Sequence, residues 1–254
     1  MQASLSGRHA LVTGGGRGIG AAIARSLKEA GAAVTILGRT AATLDTAVSA
    51  GIAHHAAVAD VTDTAALERA IAATAARAPL DIVIANAGAA ESAPLKRTDR
   101  AMWDRLIAAD LTSVFDTMRL TLPAMAERGR GRFIAVASIA GLKGKPYIAA
   151  YCAAKHGVVG LCRALGQEYA TSGVTVNAVC PGYIDTDLVH EAAVRIQAKT
   201  GRTIDDIKRE MFKDAPIGRF ITVEEVASAV LWLCSDGAAA VTGAAIPVSG
   251  GEIG

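Results

Sequence analysis

The segment HALVT (His9–Thr13) runs into Gly14-Gly15-Gly16-Arg17-Gly18-Ile19-Gly20 and then into AAIARSLKEAG (21–31). A short β-leaning run, a glycine turn and a helical pattern, in that order, form the context in which a glycine motif reads as a dinucleotide site. Gly14 permits the tight turn, Gly18 lets the backbone approach a pyrophosphate, and Gly20 lets the helix pack closely on a sheet. The helix start adds free N–H groups and a positive dipole end, and Ile19 belongs to that same phosphate-facing turn. A glycine turn without a ligand is the plain alternative, and the flanking strand and helix count against it.

Outward from this unit the chain alternates strands and helices. Short runs of Val, Ile and Ala predict strands near 9–13, 34–38, 54–58, 81–86, 132–138, 175–180 and 244–248. Helical periodicity covers 19–30, 40–50, 63–77, 99–127, 148–171 and 222–235. Runs with few charges suit strands buried on both faces. The expected fold is α/β: a Rossmann-type, doubly wound parallel sheet of about seven strands with helices on both faces. Residues 1–254 read as one domain. The connection 183–221 is too long for a plain loop and holds two amphipathic patterns, HEAAVRIQAKTG and TIDDIKREMF. It reads as a substrate-binding lid.

Composition narrows the function classes. Hydrophobic residues make up 52% and charged residues 20% of the 254, which suits a globular chain with a sizeable core. A formal net charge of +2 without a long basic run leaves no nucleic-acid footprint. Arg128, Arg130 and Arg132 in ERGRGR read as a solvated loop. Cys152, Cys162, Cys180 and Cys234 lack metal-ligand spacing, as do the five histidines, so no metal is expected. The cysteines read as buried free thiols in a reducing compartment, which points to the cytoplasm. With no long apolar segment at the N-terminus and no uninterrupted span, no membrane is expected.

Tyr151 and Lys155 stand four residues apart in YCAAK, and Ser138 lies upstream at the end of a predicted strand. On a helix, positions i and i+4 share a face, so the phenol and the ammonium point into one space. A phenol is too weak an acid for proton transfer near neutrality, and a neighbouring cation favours the phenolate. A serine hydroxyl beside them can hold a substrate oxygen. The plain alternative is an amphipathic helix with an incidental pair.

Together these residues resemble the short-chain dehydrogenase/reductase family over essentially the whole chain. Thr13–Gly20 matches its TGxxxGxG and Asn86-Ala87-Gly88 its NAG. Ser138, Tyr151 and Lys155 match its catalytic set, Pro181-Gly182 with Thr186 its PG…T, and Val241-Thr242-Gly243 with Ser249-Gly250-Gly251 its C-terminal end. The resemblance implies hydride transfer between a nicotinamide and a carbonyl or carbinol carbon. Tyr151 is then acid or base, Lys155 tunes it and binds the cofactor ribose, and Ser138 steadies the substrate oxygen. It further implies cofactor contacts from Asp60-Val61, Asn86, Gly88, Pro181, Gly182, Ile184 and Thr186, and a homo-oligomer, expected to be a tetramer.

Three features particularise the reading. The second strand ends in Gly38-Arg39, where NAD sites carry an acid and NADP sites an arginine. With Arg17, this favours NADP(H) over NAD(H). Asp110 heads DLTSVF where the family carries asparagine, so it is expected close to Lys155 among the catalytic residues, taking over the relay role that the resemblance gives to that asparagine. The PIGRF element and the tail VTGAAIPVSGG resemble bacterial ketoreductases of β-ketoacyl thioesters. Lys143, Lys145, Arg195, Lys199 and Arg202 then either greet a phosphorylated tail or form a solvated basic face. A secondary alcohol, sugar or steroid fits the motifs equally well. A non-catalytic NADP sensor is the alternative of another class.

Overall fold

Short runs of β-branched and small apolar residues pair into one parallel sheet in a computed structural model that describes residues 4–185 and 187–253. The strands are β1 (His9–Thr13), β2 (Ala33–Gly38), β3 (His55–Val58), β4 (Ile82–Ala85), β5 (Gly131–Val136), β6 (Val174–Pro181) and β7 (Ala245–Val248). Their order is β3-β2-β1-β4-β5-β6-β7, and every pairing is parallel. β1, β4, β5 and β6 are buried along their whole length. That explains why they read as continuous apolar runs rather than alternating ones.

The helices are α1 (Gly18–Glu29), α2 (Ala41–Ser49), α3 (Thr64–Ala75), α4 (Arg100–Ile107), α5 (Ser113–Glu127), α6 (Ala149–Glu168), α7 (Asp187–Thr200), α8 (Ile204–Met211) and α9 (Val223–Cys234). Successive strand residues point to opposite faces, so β1 feeds two cores. Ala10 and Val12 join Ala24 and Leu27 of α1 and Val230 and Leu233 of α9. Leu11 joins Leu67 of α3, Met118 of α5 and Val158 of α6 on the other face. Burying a side chain such as Leu27 or Leu67 contributes roughly 1.5–3 kcal/mol before entropy is counted.

Element boundaries agree with the periodicity to within about three residues, with one correction. The expected helix 99–127 is interrupted. Between α4 and α5, residues Ala108–Thr112 form a π-turn, and Asp110 lies inside it, buried. A π-turn carries one extra residue per turn and rotates the helix beyond it, a device found often at functional sites. The connection 183–221 carries α7 and α8, where the two amphipathic patterns were read.

The arginine cluster is a solvated helix-to-strand loop at Arg128 and Arg130, and Arg132 is the correction. Arg132 is buried in β5, Arg130 pairs at 2.9 Å with the buried Asp81, and Arg128 donates to the Leu80 and Ala124 carbonyls. All four cysteines are free and buried. Among the described residues no helix is long and apolar enough to cross a membrane.

The strand order reverses between β1 and β4. Loops leaving the carboxyl ends of those two strands diverge and leave a crevice there, the place where open α/β sheets take ligands.

Candidate active site

Gly14 and Asn86 face each other across that crevice. Gly14 has φ +65°, and a Cβ on it would come within 2.9 Å of the Asn86 amide nitrogen. Asn86 donates to the Thr13 and Gly14 carbonyls at 3.1 and 3.2 Å, while the Thr13 hydroxyl accepts from the Asn86 and Ala87 backbone N–H groups. This clamp ties the end of β4 to the glycine turn and is its first structural role. Gly20 differs from expectation in its reason. A Cβ there would collide with the Gly14 carbonyl oxygen inside the turn, so the turn itself requires glycine.

Gly18 has φ +53° and open space in front of it. The N-terminus of α1 has no side-chain cap, so its first N–H groups remain free for an anion. A cleft of about 460 Å³ opens over this end. Gly14, Arg17, Gly18, Ile19, Gly20, Arg39, Asp60, Val61, Asn86 and Gly88 all line it. Thr40, Thr43, Thr62, Ala89 and Ala109 line it too and were not foreseen. Their proximity to Arg39, Asp60 and the NAG motif was the available signal.

The far end of the cleft is cationic. Arg39 pairs with Asp60 at only 3.8 Å and is largely exposed, a contact worth little in water. Asp60 is occupied by the Thr62 backbone N–H and hydroxyl at 2.9 and 2.8 Å. Burial raises its carboxyl, but these bonds and Arg39 outweigh that and hold it low. Gly38 has ordinary space: its nearest neighbour for a Cβ is Leu44 Cδ2 at 3.4 Å. No steric demand explains glycine there. The uncapped helix end and the open glycine cradle fit the phosphates of a nicotinamide dinucleotide, and two arginines stand nearby without an acid at position 38.

The near end leads to the titratable cluster. Lys155 Nζ lies 3.1 Å from Asp110 Oδ1, donates to the Val136 carbonyl at 3.3 Å, and stands 5.5 Å from the Tyr151 ring centroid. Asp110 and Lys155 are 1% and 4% exposed. Asp110 also accepts from Ala89 N at 3.3 Å. Gly88 leaves the room for this pair, because a Cβ on it would collide with Asp110 Oδ1. Ser138 accepts from Ala140 N at 3.1 Å, and its hydroxyl stands near enough to the Tyr151 phenol to draw it down.

The electrostatics correct one expectation. Lys155 pulls the Tyr151 phenol down, but burial, aided by Asp110, pushes it further up, so the net direction is upward. For Lys155, burial opposes the charge and Asp110 and Tyr151 restore it, leaving the ammonium favoured. Burial raises the Asp110 carboxyl against the pull of Lys155. Asp110 and Lys155 therefore neutralise each other beside a phenol that holds its proton tightly.

Pro181 ends β6. Gly182 N donates to Val248 O at 3.0 Å, and Ile184 forms a parallel bridge with Ile221. These three lie at or just beyond the end of β6 and not on the cleft lining. Thr186 and the side chain of Lys199 lie outside the described residues. Tyr147 is exposed and has φ +68°, the one such non-glycine among the described residues. A bulky residue held there stores strain, which clusters at ligand sites.

Known proteins resemble this chain over nearly its full length. The family model described as enoyl-(acyl carrier protein) reductase matches residues 14–252. D-beta-hydroxybutyrate dehydrogenase of Rhizobium meliloti (strain 1021) is 41% identical over 95% of this chain and 97% of its own. Cis-4-hydroxycyclohexanecarboxylate dehydrogenase of Sinomonas cyclohexanicum is 42% identical over 96% of each. The crystal structure of a single-residue variant of actinorhodin polyketide ketoreductase with NADPH superposes with a TM-score of 0.91 at 36% identity, covering 96% of this chain and 97% of that one. With the parallel sheet, the glycine cradle and these full-length likenesses together, the chain belongs to the short-chain dehydrogenase/reductase family of nicotinamide-dependent oxidoreductases acting on hydroxyl and carbonyl groups.

Proposed function

We propose that the chain is an NADP(H)-dependent oxidoreductase interconverting a ketone and a secondary alcohol, with Ser138, Tyr151 and Lys155 as its catalytic residues. The observation that carries this reading is the Tyr151 ring 5.5 Å from the buried Lys155 ammonium, which adjoins the cleft through Asp110 and Gly88. The bound dinucleotide supplies or accepts the hydride. Tyr151 gives its proton to the substrate oxygen in reduction and takes it back in oxidation. Ser138 donates to that same oxygen and steadies the charge that develops on it. Lys155 offsets the negative charge left on Tyr151. Asp110 fixes the lysine's position through its ion pair. Pro181, Gly182 and Ile184 hold the nicotinamide half, and 183–221 acts as a lid over one domain. Assay of NADPH and NADH oxidation against cyclic ketones, oxo acids and 3-oxoacyl thioesters tests the reading. No turnover of any carbonyl with either cofactor would leave a non-catalytic binder.

The cofactor reading makes a sharper prediction. Gly38→Asp with Arg39→Ala is expected to turn preference from NADPH toward NADH. The new carboxylate has room, since its Cβ would meet only Leu44. It would repel a phosphate, and the lost guanidinium contact costs about 1.5–3 kcal/mol, roughly ten- to a hundredfold in kcat/KM. Wild-type protein that prefers NADH overturns the assignment before any mutant is made.

Assembly is part of the proposal. Trp103 on α4 and Phe115 on α5 are exposed large apolar side chains. Their burial between copies, along α4–α5, α6 and β7, supports a homotetramer. Sedimentation at micromolar concentration is expected to give four times the 25.9 kDa chain mass. A monomer refutes it. Four free buried thiols support a cytoplasmic location.

The names of the relatives suggest two substrate arms. One is a 3-oxoacyl thioester, from the likeness to the polyketide ketoreductase. The other is a hydroxylated carboxylic acid, from the two dehydrogenases.

A further inference from the structure

Lys143 and Lys145 are not the free cations that the sequence suggested. Both turn inward to Glu252, 109 and 107 residues away in the chain. Glu252 Oε1 lies 3.2 Å from Lys143 Nζ and 2.5 Å from Lys145 Nζ, and the carboxylate side chain is only 1% exposed. These contacts are close enough for ion pairing but off the line of a hydrogen bond, and neither carboxylate oxygen accepts one. Lys145 is 14% exposed and stacks 4.4 Å over the Tyr183 ring.

The place matters. Lys143 follows the turn Ile139–Gly141 that starts at Ser138, and Gly141 abuts the Lys155 carbonyl. A Cβ on Gly182 would lie 3.7 Å from Glu252 Oε2, and Gly182 bonds to the end of β7. The cluster therefore sits beyond the carboxyl ends of β5, β6 and β7, on the sheet edge that carries Ser138.

Its chemistry is donor-rich. Two ammonium groups carry three N–H donors each. Among the described residues, one directed bond uses them, from Lys143 Nζ to the Glu252 carbonyl at 3.3 Å. Two lysines against one carboxylate leave a net charge of +1. Lys143 is 38% exposed and reaches water, but Lys145, at 14%, holds donors without acceptors, which is costly. An anion with several lone pairs relieves both the charge and that deficit. A neutral acyl chain supplies neither.

We infer that Lys143 and Lys145, held in place by Glu252, form a subsite for a carboxylate carried by the substrate, so that the preferred substrate is an oxo or hydroxy carboxylic acid rather than a neutral ketone. This rests on the oxidoreductase reading above and narrows it. Glu252 acts as a positioning residue: it gathers the two ammonium groups and leaves their remaining donors facing the ligand.

The test is the ratio of kcat/KM for 4-oxocyclohexanecarboxylate to that for its methyl ester, with NADPH. Wild type is expected to prefer the acid by tenfold or more. Lys145→Met and Lys143→Met are each expected to collapse the ratio, and Lys145→Arg to restore most of it. Equal use of acid and ester by the wild type, or an undiminished ratio in Lys143→Met/Lys145→Met, overturns the inference while leaving the oxidoreductase reading intact. Calorimetric titration of the NADPH complex with cyclohexanecarboxylate separates the two readings. Binding that weakens tenfold or more in the double variant upholds the subsite even if no ketone turns over. Binding unaffected by the double variant removes it.

Discussion

Tyr151→Phe is expected to lower kcat for ketone reduction about 10²–10⁴-fold, the usual worth of a positioned general acid. The substitution removes one oxygen and keeps the ring beside Lys155. It takes away the proton donor and leaves the Ser138 hydroxyl, held by Ala140 N, in place. Dinucleotide affinity should survive, because the glycine turn, Arg17 and Arg39 lie along the other reach of the cleft. Steady-state kinetics with a fluorescence titration of NADPH separates the two effects. Near-normal turnover with Phe at 151 would remove the tyrosine from the mechanism. A comparable loss of NADPH binding would mean that the change had disturbed the site instead.

Much of this was legible in the sequence for physical reasons. A parallel sheet buried on both faces must be written in Val, Ile and Ala, so β1, β4 and β6 stand out from the polar helices around them. The turn at 14–20 is legible because backbone approach and positive φ demand glycine at set positions. Tyr151 and Lys155 are legible because they share one helix, where spacing decides direction.

The features that escaped depend on long-range contact or on the balance of opposing effects. No local pattern joins Glu252 to Lys143 and Lys145 across more than a hundred residues. The π-turn at 108–112 keeps to helical periodicity closely enough to pass for α-helix, and only the packing of Asp110 against Gly88 and Lys155 marks it. The direction of the Tyr151 shift needed the amount of burial, which sequence spacing does not carry. Arg132 reads as loop surface in ERGRGR yet is buried in β5, because the strand begins one residue before it.

Asp110 gives the last large effect, and two substitutions separate its two roles. Asp110→Ala strips the buried Lys155 of its carboxylate and leaves it the Val136 carbonyl and the Tyr151 ring. Removing one partner of a buried ion pair costs about 3–5 kcal/mol, so the urea midpoint should fall clearly. Asp110→Asn keeps the size and can still accept from Lys155 and Ala89, so it should retain more of that stability. It removes the negative charge that, after burial itself, holds the Tyr151 proton in place against Lys155. With the anion gone and the lysine still charged, the phenolate is easier to form and the phenol's pKa falls. Alcohol oxidation needs the deprotonated tyrosine, so its rising pH limb should move to lower pH in Asp110→Asn, with little change in KM. The same variant should lose ketone reduction at a lower pH than the wild type, because reduction needs the proton that it now gives up sooner. An unmoved pair of pH profiles would mean that Asp110 is already protonated beside Lys155, and that it acts there as a hydrogen-bonding group only.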